Sequence, residues 1–211
     1  MTCIEIIDNT IETIRKSGFE NITVEAGGEN IAFEKEYDDL KERSGVVFSQ
    51  GVIELYKKYS SLLIEWYDSK SGKYGCFDMI PLKYISEHNS DFREMAEDAA
   101  EYARSESEKR NLYKLEMLEY MYPVFDFKTG DKLCIDSRTG HIVLFDHSVY
   151  ELYDDDKNGL VLAKDFESLI ESWSGVLFCE QFWWENGTVD ENGINSDNTY
   201  FSEFMNSLKE G

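Results

Sequence analysis

The stretch Tyr122 to His147, YPVFDFKTGDKLCIDSRTGHIVLFDH, decides the fold. It reads as three short strands joined by two tight turns. Pro123 bars a preceding helix from running on, because the residue before a proline is pushed out of the α region. Val124–Phe127 then runs extended into the turn Lys128-Thr129-Gly130-Asp131, where glycine allows positive φ. Leu133–Asp136 follows, then the turn Ser137-Arg138-Thr139-Gly140, then Ile142–His147. Side chains alternate across a strand. Phe125 and Phe127 share a face, as do Leu133 and Ile135. Ile142 and Leu144 oppose Val143 and Phe145, so the third strand is apolar on both sides. The pattern predicts an antiparallel meander.

The surrounding chain supplies helices. Ile4, Ile7, Ile11 and Ile14 make one stripe in a helix over Thr2–Ser17, ended by Gly18. Ile22–Glu25 and Asn30–Glu34 flank Ala26-Gly27-Gly28-Glu29 and predict a hairpin. Glu34–Ser44 is charged and reads as helix or loop. Ser49 caps a helix carrying Val52, Leu55, Tyr56 and Tyr59. Leu62–Tyr67 and Tyr74–Ile80 predict strands paired across Ser71-Gly72, with Trp66 as core anchor and Pro81 as terminator.

Asp91–Tyr122 is the longest helical stretch. Phe92, Met95, Ala99 and Tyr102 make one stripe, and Leu112, Leu115, Leu118 and Met121 another. The polar Ser105–Arg110 between them leaves one helix or two. Phe166, Leu169, Ile170 and Trp173 face one way on a helix capped by Asp165 and ended by Gly175. Val176–Trp184 reads as a strand or extended edge, and Asn186–Asp197 as a polar loop. Phe201, Phe204, Met205 and Leu208 form a last helix over 198–209.

Asp154, Asp156, Asn158 and Gly159 fit the first half of an EF-hand loop. The twelfth position is Asp165 rather than Glu, and capping already claims it. An acidic surface loop without metal is therefore expected. The 4 cysteines have no CxxC spacing and read as reduced core residues. His141 and His147 lie about 20 Å apart along an extended strand, too far to share a metal. There is no P-loop, GxGxxG or G-x-S-x-G. Asp126 and Asp136 are the best acid/base candidates, but they read as outward strand positions. No catalytic residue and no cofactor are expected.

Charge is the strongest compositional signal: 43 acids against 21 bases give a net −22 over 211 residues. Such a surface repels anionic membrane and nucleic acid, whose phosphates need Lys and Arg, and it steers cationic partners. Glu94, Glu97, Asp98 and Glu101 fall on one helix face, as an acidic ridge opposite the apolar stripe. Asp154, Asp155 and Asp156 form a second acidic site. In Trp183-Trp184, alternation buries one ring and exposes the other. Trp184 beside Glu180 and Glu185 is an interface anchor, unless both rings pack on the last helix. The first residues, MTCIEIIDNT, carry acids where a secretory signal would carry bases, and no long apolar run follows, so a cytoplasmic protein is expected.

The meander also resembles the SUKH superfamily, through Phe125, Phe127, Gly130, Asp131, Leu133, Ile135, Gly140, Val143 and Asp146. Ala163–Trp173 is similar to that family's helix after the sheet. Ser49–Tyr59 with Leu62–Tyr67, and Gly75–Leu82, are similar upstream. The resemblance spans roughly Val46 to Phe178. It implies an α+β fold, a central curved antiparallel sheet with helices packed on one side, in a single domain over 1–211 with a helical insertion at 91–121. It implies a non-catalytic binding protein. Within the superfamily are bacterial immunity proteins of polymorphic toxin systems and fungal regulators of cell-wall glucan synthesis. Joined to the charge, this predicts an immunity protein that neutralises a basic toxin domain, with a nuclease as one candidate class. The alternative is a regulator or scaffold with several cellular partners.

Overall fold

The structure is a computed structural model that describes residues 1–102, 116–147, 157–179, 188–190, 193–195 and 198–207. Helix α1 (Cys3–Lys16) starts on a capping box, Thr2 Oγ1 accepting from Glu5 N–H while Glu5 reaches back to Thr2 N–H. It buries Cys3, Ile7, Thr10, Ile11 and Ile14. Strand β1 (Glu20–Ala26) follows. Helix α2 (Phe33–Ser44) turns Phe33, Tyr37 and Leu40 into the core and ends at Gly45, φ 71°. The expected hairpin over 22–34 is not formed. β1 pairs with a later strand, and Phe33, Tyr37 and Leu40 recur at the helical period, so the chain winds instead of returning.

Helix α3 (Gln50–Lys58) is capped by Ser49. Strands β2 (Leu62–Asp68) and β3 (Lys73–Met79) pair across Gly72 as expected. Helix α4 (Leu82–Tyr102) begins nine residues before the expected Asp91. Its stripe runs Leu82, Ile85, Asn89, Phe92, all buried. A polar residue hid that periodicity. Asn89 is satisfied inside, its amide donating to the carbonyls of Met121 (2.8 Å) and Glu119 (3.2 Å).

After a 3₁₀ turn at Leu118–Tyr120 come β4 (Met121–Asp126), β5 (Lys132–Asp136), β6 (Ile142–Phe145) and β7 (Val161–Ala163). Pro123 lies inside β4 rather than before it. The register slips between Pro123 and Phe125, and such a bulge is where a strand tolerates a residue without N–H. Helix α5 (Phe166–Ser174) is capped by Asp165, which accepts from Ser168 N–H at 2.7 Å. Short strands β8 (Val189–Asp190) and β9 (Gly193–Ile194) pair where a polar loop was expected, and α6 (Thr199–Ser207) follows.

These strands form one curved antiparallel sheet, β1-β2-β3-β4-β5-β6-β7-β9-β8. The meander is its centre. On the inner face, α1, α2, α3 and α5 pack over Ile64, Trp66, Phe77, Phe125, Leu133 and Leu144. On the outer face, the second half of α4 packs Phe92 against Met121, Cys134, Val143 and Phe145. The helices were expected on one side only. A strand apolar on both faces demands cover on both, and α4 supplies the second.

Val176–Cys179 is a buried turn, not a strand; only Cys179 bridges to Gly75. Leu177 (φ 57°) and Phe178 (φ 56°) are both left-handed, which costs about 1–2 kcal/mol per residue. Three donors reward that turn. Trp66 Nε1 donates to Leu177 O (2.7 Å), Cys76 N–H to Phe178 O (3.0 Å) and Trp173 Nε1 to Cys179 O (3.1 Å). Trp66 also stacks on Phe19, ring centroids 4.2 Å apart. All four cysteines are free and buried.

Candidate protein-docking surface

Helix α4 sets the first acidic face. Phe92 stacks on Phe145, centroids 4.2 Å apart, and Met95 and Ala96 pack on the same cluster. That fixes the helix rotation. Glu94, Glu97, Asp98 and Glu101 therefore stand exposed on the opposite side, as their spacing predicted. Among the described residues none of the four makes an ion pair or hydrogen bond. The other expected site residues, Asp154, Asp155, Asp156 and Trp184, lie outside the described residues, as does Trp183.

A second acidic face, missed in the sequence, lies on the outer side of β1–β4. Register places Glu25, Leu63, Asp78, Asp126 and Lys132 in one row across five strands. Asp78 and Asp126 are direct neighbours. Lys132 Nζ pairs with Asp126 at 2.6 Å, and Lys128 with Glu65 at 2.5 Å. Burial, and then repulsion from Asp126 and Glu65, push the Asp78 carboxyl above its ordinary value.

Asp136 is not the outward strand position that alternation indicated. It is 5% exposed and gripped by Arg138, Nε to Oδ1 at 3.0 Å and Nη2 to Oδ2 at 2.8 Å. Burial alone would raise its pKa; the Arg138 side chain and N–H outweigh that and hold it below the ordinary value. A carboxylate held this way is an anion at neutral pH and no proton donor. The sequence hides this because a turn residue, Arg138, supplies the partner.

Asp131 is 4% exposed. Its Oδ1 accepts from His147 N–H (3.0 Å) and meets His147 Nδ1 (2.6 Å), and its Oδ2 accepts from Thr129 (3.0 Å). Next to it, Asp146 Oδ2 accepts from Lys157 N–H, and Asn158 clamps the Asp146 backbone in both directions. Ligand atoms of Asp131, Asp146 and His147 lie within 4.8 Å of one another, a spacing a metal ion can use. The hydrogen bonds already spend those atoms on tying the β4–β5 turn to the end of β6.

A cavity of about 280 Å³ opens between the starts of α3 and α5, with Val47, Phe48, Phe166 and Lys164 in its lining. Ser49 and Asp165 on its rim are committed. Glu167 Oε1 takes Ser49 Oγ and Gly51 N–H, both at 2.9 Å, and Asp165 caps α5. Among the described residues no helix is long and apolar enough to cross a membrane.

An antiparallel sheet covered by helices, its interior carboxylates spent on caps and ion pairs, makes this an α+β module. The model of the SMI1 / KNR4 family (SUKH-1) matches residues 32–172, and the chain belongs to that family. No curated protein and no solved structure matches it. Members of the family bind protein partners.

Proposed function

We propose that this protein is an immunity protein that binds a basic toxin domain and blocks it, a nuclease being the toxin class whose own charge fits best. The observation that carries the reading is the α4 ridge, four exposed carboxylates that form no ion pair among the described residues, on a chain of net charge −22. Like charges at helical spacing cost a few tenths of a kcal/mol per pair. A cationic partner relieves that cost and is drawn in by the field. Inhibition follows by occlusion: a bound protein covers the surface that would meet the toxin's substrate. Asp154, Asp155, Asp156 and Trp184 are proposed as further partner contacts, an acidic site and an aromatic anchor.

Co-expression with the product of the neighbouring gene tests this. Growth rescue together with nanomolar binding in titration calorimetry is the expected result. The double variant Glu97→Lys, Asp98→Lys is expected to weaken binding and flatten its salt dependence. A harmless neighbour that forms no complex overturns the toxin reading, and several weak cellular partners in its place favour a regulator.

A further inference from the structure

We infer that the open half of the outer sheet face, centred on Asp78, is a second docking surface, and that it takes a partner-protein segment offering an arginine to the Asp78–Asp126 pair. This rests on the protein-binding reading above but not on the partner being a toxin.

The argument starts from register. Glu25, Leu63, Asp78, Asp126 and Lys132 stand side by side on successive strands. Strands lie about 4.8 Å apart, so the carboxylates of Asp78 and Asp126 are set roughly that far from each other. Like charges directly opposite in a sheet are unfavourable. Lys132 goes to Asp126 and Lys128 to Glu65. Asp78 is left without an ion pair or hydrogen bond among the described residues.

Around Asp78 the face is accessible, while Cys76 farther along β3 on the same face is buried. α4 covers β4–β6 through Phe92, Met95 and Ala96, and no described helix packs on the outer side of β1–β3. Glu25 and Asp78 are exposed, Leu63 is half-buried, and Tyr67 is 39% exposed. Tyr67 lies four residues along β2 from Leu63, about 13 Å away, and offers an aromatic anchor beside the charged row.

Charge complementarity selects the occupant. Four carboxylates (Glu25, Glu65, Asp78 and Asp126) against two lysines (Lys128 and Lys132) disfavour phosphate and anionic lipid. The two oxygens of the Asp78 carboxylate match the planar two-nitrogen edge of a guanidinium better than the point charge of an ammonium, and the adjacent Asp126, shared with Lys132, adds to the attraction. Arginine is also more weakly hydrated than lysine, so it loses less on leaving water for the sheet face. An arginine there also offsets the repulsion from Asp126 and Glu65 that adds to burial in raising the Asp78 pKa.

The test is amide chemical-shift mapping on the ¹⁵N-labelled full chain at physiological salt. The probe is acetyl-Gly-Arg-Tyr-Arg-Gly-amide, and the control replaces both arginines with citrulline, which keeps the shape and removes the charge. Expected are shifts clustered at Leu63, Glu65, Tyr67, Asp78 and Asp126, absent with citrulline, and affinity reduced about threefold by Asp78→Asn. That variant loses a repulsion and keeps its size, so it folds at least as well as the parent. Shifts confined to the α4 ridge, shifts scattered over the whole acidic surface, or equal shifts with citrulline overturn the proposal. So does calcium chloride alone reproducing the pattern while the peptide does not, which makes the pair a cation site instead. No toxin enters this experiment. A negative map removes the surface and leaves co-expression rescue untouched, and failed rescue leaves the map standing.

Discussion

His147 Nδ1 lies 2.6 Å from Asp131 Oδ1, and the His147 backbone N–H donates to that same oxygen at 3.0 Å. One buried carboxylate thus joins the β4–β5 turn to the end of β6, which are 16 residues apart in sequence. Asp131→Ala leaves the His147 N–H without its acceptor and is expected to cost about 1–3 kcal/mol. His147→Ala keeps that backbone bond, removes the exposed ring's bond to Asp131 and is expected to cost about 1 kcal/mol or less. Urea unfolding midpoints compare the two. Equal losses show that the ring, not the backbone bond, carries the clamp.

Gly75 faces Trp66 across β2 and β3. A Cβ there falls on the Trp66 indole and comes within 2.8 Å of Phe178 O. The indole cannot step aside, because its N–H is held by Leu177 O and its ring by Phe19. Gly75→Ala is expected to cost about 3 kcal/mol, at the upper end for overpacking. Thermal unfolding reads the loss, and near-ultraviolet dichroism reads the displaced tryptophan.

Phe92 holds α4 on the outer face through Phe145. Phe92→Ala is expected to cost about 3–5 kcal/mol. Hydrogen exchange is expected to rise first in α4, before β5 and β6, because Cys134, Val143 and Phe145 keep their strand pairing. Uniform loss of protection across the sheet counts against α4 as a separately held layer.

Acid unfolding follows from the depressed carboxylates. Asp136 sits below its ordinary value because Arg138 outweighs burial, and Asp165 and Asp68 sit low because hydrogen bonds outweigh burial. Each stabilises fully above the unfolded-state pKa of about 4 and loses that contribution as pH falls through its lower folded value. Asp136→Asn is expected to lower stability at neutral pH and to flatten the decline below about pH 4. Asp78 has the opposite sign, since its pKa is raised. Asp78→Asn is expected to add a few tenths of a kcal/mol at neutral pH, shrinking as the pH drops and the parent protonates. Urea midpoints across the acid range check both slopes.

Several features were legible early because their signals are local. Ser49 and Asp165 cap helices through their own side chains. The turns at Gly130 and Gly140 need positive φ and have it, 98° and 77°. Alternation along 142–145 foretold a strand buried on both faces. The α4 ridge followed from helical spacing alone. Missed were features whose partners lie far away in sequence. The start of α4 was hidden because Asn89 is polar, and it is buried only because three carbonyls of the 118–121 turn meet it. Phe33 begins a helix rather than a return strand because β1 finds its partner in β2.

By itself, then, the order of residues determined the α+β class, the meander, the helix caps and the overwhelming negative charge. Each of these depends on neighbours within about one turn or one strand, where spacing is set by backbone geometry. Only the tertiary structure decided which acids are spent and which are on display. Asp136 and Asp131 disappear into Arg138 and His147, while Asp78 meets Asp126 across a strand boundary some 50 positions away in the chain. Strand register makes those encounters, and register is set by the packing of both sheet faces at once.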